Sequence, residues 1–353
     1  MDHEIQDFSK RMYAMRRLKR MSLRKLQKEM NIDISHTMLS RYEKGEAVPS
    51  EVVRSCLCQV LDIGQVTNRC HNFSLSDVHF RKRCAFSQKE QCAIVAQAEE
   101  YFACYFDLES LTKSETSFKI HVSSSGQDME ALADALRQEW SLGAGPVANL
   151  SFLLEVKGIK IYEVNSDNTS FDGFTSFYMG EPLLCIASWL NHNIPRKRMT
   201  LAHELGHAVL AHVSGDAKIE NHESAATYFA GAFLQPANSF CEAFGRKKRD
   251  CVHLHELVEL KEYFGTSIKA IMVRAAQMHL IDQEQLKRFY RFYSKQGYMH
   301  HEPGVYNFPE HSERYVRLID QALAKGLMDE AKVQSYLRYV KRESCFLNMN
   351  VLG

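Results

Sequence analysis

The sequence predicts a multidomain, mainly α protein with one small sheet: a helix-turn-helix domain at the N-terminus, then an α+β domain built around two buried helices. Three observations carry this. Short capped helical segments with a common apolar stripe fill residues 8–63, three alternating segments between 158 and 187 read as strands, and two apolar helical runs, 199–213 and 223–236, follow them.

Composition bounds the classes. With 353 residues, 45% hydrophobic and 25% charged, the chain is long enough for two or three cores. A net charge of +1 excludes a globally basic nucleic-acid coat, so any basic footprint is local. No apolar run reaches the roughly 18 residues of a membrane span, and the start Met1-Asp2-His3-Glu4 lacks the shape of a signal peptide. The expectation is a cytoplasmic protein with no membrane partner. Ten cysteines occur without a C-x-x-C pair, which predicts small buried hydrophobes rather than a second metal or redox site.

In chain order, residues 10–28 hold nine Lys or Arg and no acid, while Met12, Met15, Leu18, Leu23 and Leu26 keep an apolar stripe at helical spacing. Ser22 caps a helix over Leu23 to Met30. A turn, Asn31 to Ile34, leads to a second helix from Ser35 to Glu43, which stops at Lys44-Gly45 ahead of Pro49. Two short helices joined by a tight turn are the outline of a helix-turn-helix. A helix from about Ser87 to Leu111 carries no chemistry and reads as a linker or dimer contact, so a homodimer is left open. Ser123 to Gln127 is a flexible break. Helices from Asp128 to Trp140 and Val147 to Lys157 precede strands at Gly158 to Val164, Phe171 to Tyr178 and Leu183 to Ala187, the last expected to be the outer strand that pairs with a substrate. Helices over 250–264, 267–278 and 284–294 follow, then a loop with His300-His301, read as solvated, and a terminal helical hairpin. The expected division is 1–65, a helical linker 66–122, a second domain 123–295 and a helical extension 296–353.

The chemistry centres on His203-Glu204-Leu205-Gly206-His207, an H-E-x-x-H run in an apolar helix. Histidines at i and i+4 stack on one face and reach a single ion, while the intervening glutamate leans toward water beside that ion. That is the pattern of a catalytic zinc, with His203 and His207 as metal ligands and Glu204 as general base. Glu223 opens the next apolar helix, where a lone acid either caps in water or ligates something inside. Beside H-E-x-x-H, ligation is favoured; His222 stays open by spacing, and His212 reads as structural. The longer H-E-x-x-H-x-x-G-x-x-H pattern is excluded, because Leu210 and Val213 stand where Gly and His are needed.

Two resemblances add to these readings. Arg198 to His207, then E-x-x-A-x-x-F-A at Glu223 to Ala230, closed by Leu234-Gln235-Pro236, resembles the ImmA/IrrE family of bacterial zinc peptidases. The resemblance implies a zincin-like fold, a Zn2+ cofactor on His203, His207 and Glu223, and Glu204 as base. Thr227 stands where that family usually has Asn or Asp, and Gln235 where it usually has Met. S-L-x-x-L-x-x-x-M followed by S-x-x-x-L-S-R-Y-E-K-G and P-S resembles the XRE family of phage-repressor-type DNA-binding domains. It implies that His36, Thr37, Ser40 and Arg41 face the major groove of double-stranded DNA, and that the basic first helix, with Arg16 and Lys19, meets phosphates. Gln27 replaces the usual Ala, and the turn is about two residues longer than the family's.

The function implied is a DNA-binding transcription regulator with a zinc endopeptidase that cleaves a repressor, an antitoxin or itself, releasing a stress, prophage or mobile-element response. The rival is a non-proteolytic transcription factor or antitoxin whose zincin domain senses or binds a partner; an intact Glu204 argues against it. Tyr228 and Tyr178 are the expected oxyanion donors. Cys185 is the residue through which a thiol latch on the metal's open position would act.

Overall fold

The computed structural model describes residues 8–9, 11–13, 15–16, 19, 21–61, 63, 73–76, 78, 88–122, 128–165, 168–213, 221–299, 301–306, 308–337 and 339–340. The break at 123–127, His300 and the end of the terminal hairpin lie outside them. Among the described residues no helix is long and apolar enough to cross a membrane.

The first core is small. Met12, Leu26, Leu39, Leu57 and Leu61 are fully buried in it, contributed by the first helical residues and by α1 (Leu23–Met30), α2 (His36–Glu43) and α3 (Glu51–Leu61). Ser22 and Ser35 accept the Lys25 and Met38 amides and so start α1 and α2. Asn31, at φ 49°, ends α1 in the left-handed conformation that asparagine tolerates.

Here one expectation is corrected. Arg16 is buried, with Nε and Nη2 on the two Glu43 oxygens at 2.5 and 2.8 Å and Nη1 on the Met21 carbonyl at 2.6 Å. Lys19 Nζ donates to the Val60 carbonyl at 2.8 Å. Both cations hold the first helical residues to the ends of α2 and α3, and Arg16, buried against Glu43, is not presented to a phosphate.

A larger core joins elements far apart in sequence. α4 (Gln88–Thr112) buries Ile94, Ala98, Tyr101, Phe102, Tyr105 and Leu108 in the same cluster as the sheet. It is therefore no linker: Tyr101 stacks on Tyr162 of the sheet at 4.1 Å, and its hydroxyl donates to the Ile161 carbonyl. α13 (Arg314–Ala324) and α14 (Glu330–Leu337) bury Tyr315, Leu318, Ile319, Ala322, Val333 and Tyr336 in that cluster too, so residues 314–337 belong to the domain rather than extending it.

α5 (Met129–Glu139) and α6 (Leu150–Val156) precede three strands, β1 (Lys160–Val164), β2 (Gly173–Tyr178) and β3 (Glu181–Ala187). The order is β1-β3-β2, with β1 parallel and β2 antiparallel to β3. β3, expected at the outer edge, is the central strand; its apolar run Leu183 to Ala187 is buried on both faces, as a central strand requires. The edges are β1 and β2. At one point the β2 edge is already paired, by an antiparallel bridge between Ser76 and Phe177.

The 20-residue α7 (Ile194–Val213) lies against β2 and β3 and packs most extensively on α8 (His222–Leu234). Its first turns are held by fully buried cations. Arg198 reaches Glu310 Oε2 at 2.6 Å, the Val147 carbonyl at 2.6 Å and the Gly265 carbonyl at 3.0 Å, and Glu310 also accepts the Leu150 and Ser151 amides at the start of α6. α9 (Ala237–Phe244), α10 (Leu254–Phe264), α11 (Ile268–Gln277) and α12 (Gln283–Lys295) enclose a further core around Phe240, Phe264, Ile268 and Ile271.

Candidate metal centre

Two helices must approach closely for the site to form, and Gly206 permits it. A Cβ there would stand 3.1 Å from the Ala226 Cα and 3.2 Å from its carbonyl oxygen, so the backbones of α7 and α8 meet where a methyl group would be tight. Asn221 starts α8 by accepting the Ser224 amide. Glu223 then falls in its first turn, over the two histidines of α7.

His203, His207 and Glu223 each present a ligand atom, all within 4.8 Å of one another. The two Nε2 atoms are 3.0 Å apart, and they lie 3.5 Å (His203) and 3.3 Å (His207) from the Glu223 oxygens. Zinc held tetrahedrally at about 2.0–2.1 Å needs ligand atoms about 3.3 Å apart. The three separations bracket that figure, so the donor set fits zinc in size as well as in chemistry.

Thr227, one turn beyond Glu223, lies behind the first histidine. Its hydroxyl donates to the Glu223 carbonyl at 2.8 Å and stands 3.2 Å from His203 Nδ1. If Nε2 held a metal, Nδ1 would carry the proton and donate to that hydroxyl, which would fix the ring's tautomer and orientation. Threonine thus takes over a position where the resembled family usually has an amide or a carboxylate.

Glu204 is buried, and Thr175 of β2 is its partner: Oγ1 lies 2.9 Å from Glu204 Oε2 and 2.9 Å from the Glu204 carbonyl oxygen. The sequence reading missed Thr175, a lone hydroxyl in a strand with no spacing that marks it. A cleft of about 700 Å³ opens beside these groups, lined by the polar Thr175, Glu204, His207, His212, His222 and Glu223 and by the apolar Phe118, Phe177, Pro182, Ala208 and Ala211.

Three other expectations change. Tyr228 turns away from the cleft to Glu130 and Arg274, with burial first and the Glu130 carboxylate next raising its hydroxyl pKa. Tyr178 packs on Phe73 and Phe106. Neither lines the cleft, where His212 and His222 are among the side chains able to donate. Cys185 pairs in register with Tyr162 and Phe174, while Thr175 pairs with Leu184. Neighbours in a strand face opposite ways, so the thiol lies on the sheet face away from Thr175 and the metal ligands. Burial, then the Glu204 carboxylate, push its pKa well above the ordinary thiol value, and its place on the far face keeps it from acting as a latch.

In the N-terminal part, His36, Thr37 and Arg41 are exposed on α2 and Ser40 is half-buried, all four apart from the buried Leu39 and Tyr42.

No curated protein matches the chain. Residues 154–276 match the peptidase family model described as the IrrE N-terminal-like domain, a span that takes in β1 to β3, α7 and α8 with His203, Glu204, His207 and Glu223. That part of the chain is similar to a metallopeptidase-type domain of the IrrE kind, over about a third of its length.

Proposed function

We propose that the chain is a zinc-dependent endopeptidase joined to a DNA-binding helix-turn-helix head, and that it cleaves a repressor, an antitoxin or itself to release a regulated response. The convergence of His203, His207 and Glu223 beside a buried glutamate carries this reading. A purely structural zinc has no use for a base next to it.

Zinc held by those three residues supplies Lewis acidity toward a peptide carbonyl and acidifies water. Glu204 accepts the proton of the attacking water and returns it to the departing amine. Thr175 holds the carboxylate of Glu204 in place, and Thr227 holds the ring of His203. An extended substrate lies along the β2 edge. Phe177 pairs with Pro182, which has no amide hydrogen, and exchanges its own amide and carbonyl outward with Ser76. By the two-residue alternation of a strand, the amide and carbonyl of Thr175 point outward as well, beside Glu204.

In the head, the exposed His36, Thr37 and Arg41, with Ser40, are the groups offered to base edges of duplex DNA. Phosphate contact falls to cations other than Arg16.

Replacing Glu204 by Gln is expected to abolish proteolysis and leave one zinc per chain. Metal analysis that finds the Gln variant without zinc would overturn the assignment of Glu204 to the water.

A further inference from the structure

The edge on which a substrate would pair is not open along its whole length. Ser76 N donates to the Phe177 carbonyl at 3.2 Å, and Phe177 N donates to the Ser76 carbonyl at 3.4 Å. Two hydroxyls reinforce the bridge: Ser76 Oγ donates to the Phe177 carbonyl at 2.9 Å, and the fully buried Ser176 donates to the Ser76 carbonyl at 2.5 Å. Around it, Leu75 N donates to Glu99 on α4, and the Phe73 ring lies 4.3 Å from that of Tyr178. A short piece of chain preceding α4 is thus fastened both to β2 and to α4.

Its place matters because of direction. Ser76 pairs antiparallel with Phe177, two residues along β2 from Thr175. A peptide pairing antiparallel with Thr175 would have the same direction as Ser76 has at that bridge. The residue two positions toward that peptide's N-terminus must then pair with Phe177, where Ser76 already stands.

We propose that Ser76 is a specificity-determining residue of this cleft, one that limits how much extended chain a substrate carries on the N-terminal side of the residue opposite Thr175. Substrates ending there bind alongside it. Longer ones bind only by displacing the bridge and taking over its hydrogen bonds. This rests on reading the cleft as a peptide site, and binding and cutting are therefore measured separately.

The probe is a random-sequence decapeptide library presented to the full chain loaded with zinc. In the first arm, Glu204→Gln and Glu204→Gln with Ser76→Pro are immobilised, and the peptides retained are counted by mass spectrometry. Proline removes the Ser76 amide donor, and loss of the bridge's bonds is expected to raise retention roughly five-fold. Equal retention overturns the proposal whether or not the protein cuts anything. Ser76→Ala with Ser176→Ala, which keeps both backbone amides, carries the same expectation at smaller amplitude, so a misfolded proline variant does not shield the idea.

In the second arm, chains with Glu204 intact receive the same library, and the number of residues on the N-terminal side of each cut bond is read. The parent should cut near peptide N-termini, and Ser76→Pro should shift the cuts inward. The same distribution in both overturns the proposal. Raised retention without cutting in either chain would uphold the role of Ser76 and sink the peptidase reading.

Discussion

Replacing Gly206 by alanine tests how the two helices bring the ligands together. The added carbon would meet Ala226 Cα at 3.1 Å, the Ala226 carbonyl oxygen at 3.2 Å and Phe229 Cδ1 at 3.2 Å. Carbon atoms rest at about 3.5–4.0 Å, so α8 has to retreat by about 0.4 Å. Overpacking of this kind costs about 1–3 kcal/mol. Removing a glycine from a helix interior returns about 1 kcal/mol, which leaves a net loss of about 0–2 kcal/mol. Glu223 and Thr227 flank Ala226 on the same helix and move with it. Metal sites hold their distances within about 0.2 Å, so the displacement exceeds the site's tolerance and zinc affinity should fall about tenfold or more. The assay is competition with a zinc chelator, with thermal unfolding alongside. Gly231→Ala on the same helix is the control: its Cβ would find only Gln277 Oε1 at 3.7 Å, so it should gain up to about 1 kcal/mol and keep its zinc. Undiminished zinc affinity in Gly206→Ala would refute the claim that close approach seats Glu223.

Thr227→Val removes the acceptor of His203 Nδ1 at nearly constant volume and should weaken zinc about tenfold, whereas Thr227→Ser should not; equal affinities in chelator competition would show the hydroxyl to be idle. Arg16→Ala leaves Glu43 buried without its cation and should cost the N-terminal core about 3–5 kcal/mol, seen as its early melting. Arg41→Ala should weaken operator binding without changing that melting, and a gel-shift titration in which Arg41→Ala binds like the parent would remove α2 from the interface. Because burial raises the Cys185 pKa, the thiol stays protonated at a pH where ordinary thiols begin to ionise. Alkylation at about pH 8 should therefore label the exposed Cys92 and Cys251 and spare Cys185, and early labelling of Cys185 would revive a thiol latch.

How far the sequence could be read depended on the range of the interaction. The caps at Ser22 and Ser35, the i, i+4 histidines and Glu223 at a helix entrance are local patterns, and the structure brings the three ligand residues together. Arg16 read as a free cation because its partner Glu43 lies 27 residues away. α4 read as a linker because a helix surrounded by protein, with the sheet against it at Tyr101 and α13 at Tyr105 and Tyr315, shows no clean polar face to mark its burial. β3 was placed at the edge although its unbroken apolar run, Leu183 to Ala187, is the pattern of a central strand. Thr175 carries no spacing signal at all; only the crossing of β2 over α7 gives it a role.

The clasp between Arg198 and Glu310 bears on what can be transplanted. The segment matched by the family model, 154–276, contains His203, Glu204, His207 and Glu223 but not Glu310. Cut out alone, it would keep a guanidinium buried with its counter-ion gone, and α7 would start without its anchor. The same clasp sets a timetable during synthesis. Residue 310 must leave the ribosome before the Arg198–Glu310 clasp can form, so a nascent or truncated chain carries His203, Glu204, His207 and Glu223 with α7 not yet anchored. The boundaries of the catalytic motif and of the unit that must fold to use it are therefore different boundaries, separated by a carboxylate 112 residues downstream of the arginine it neutralises.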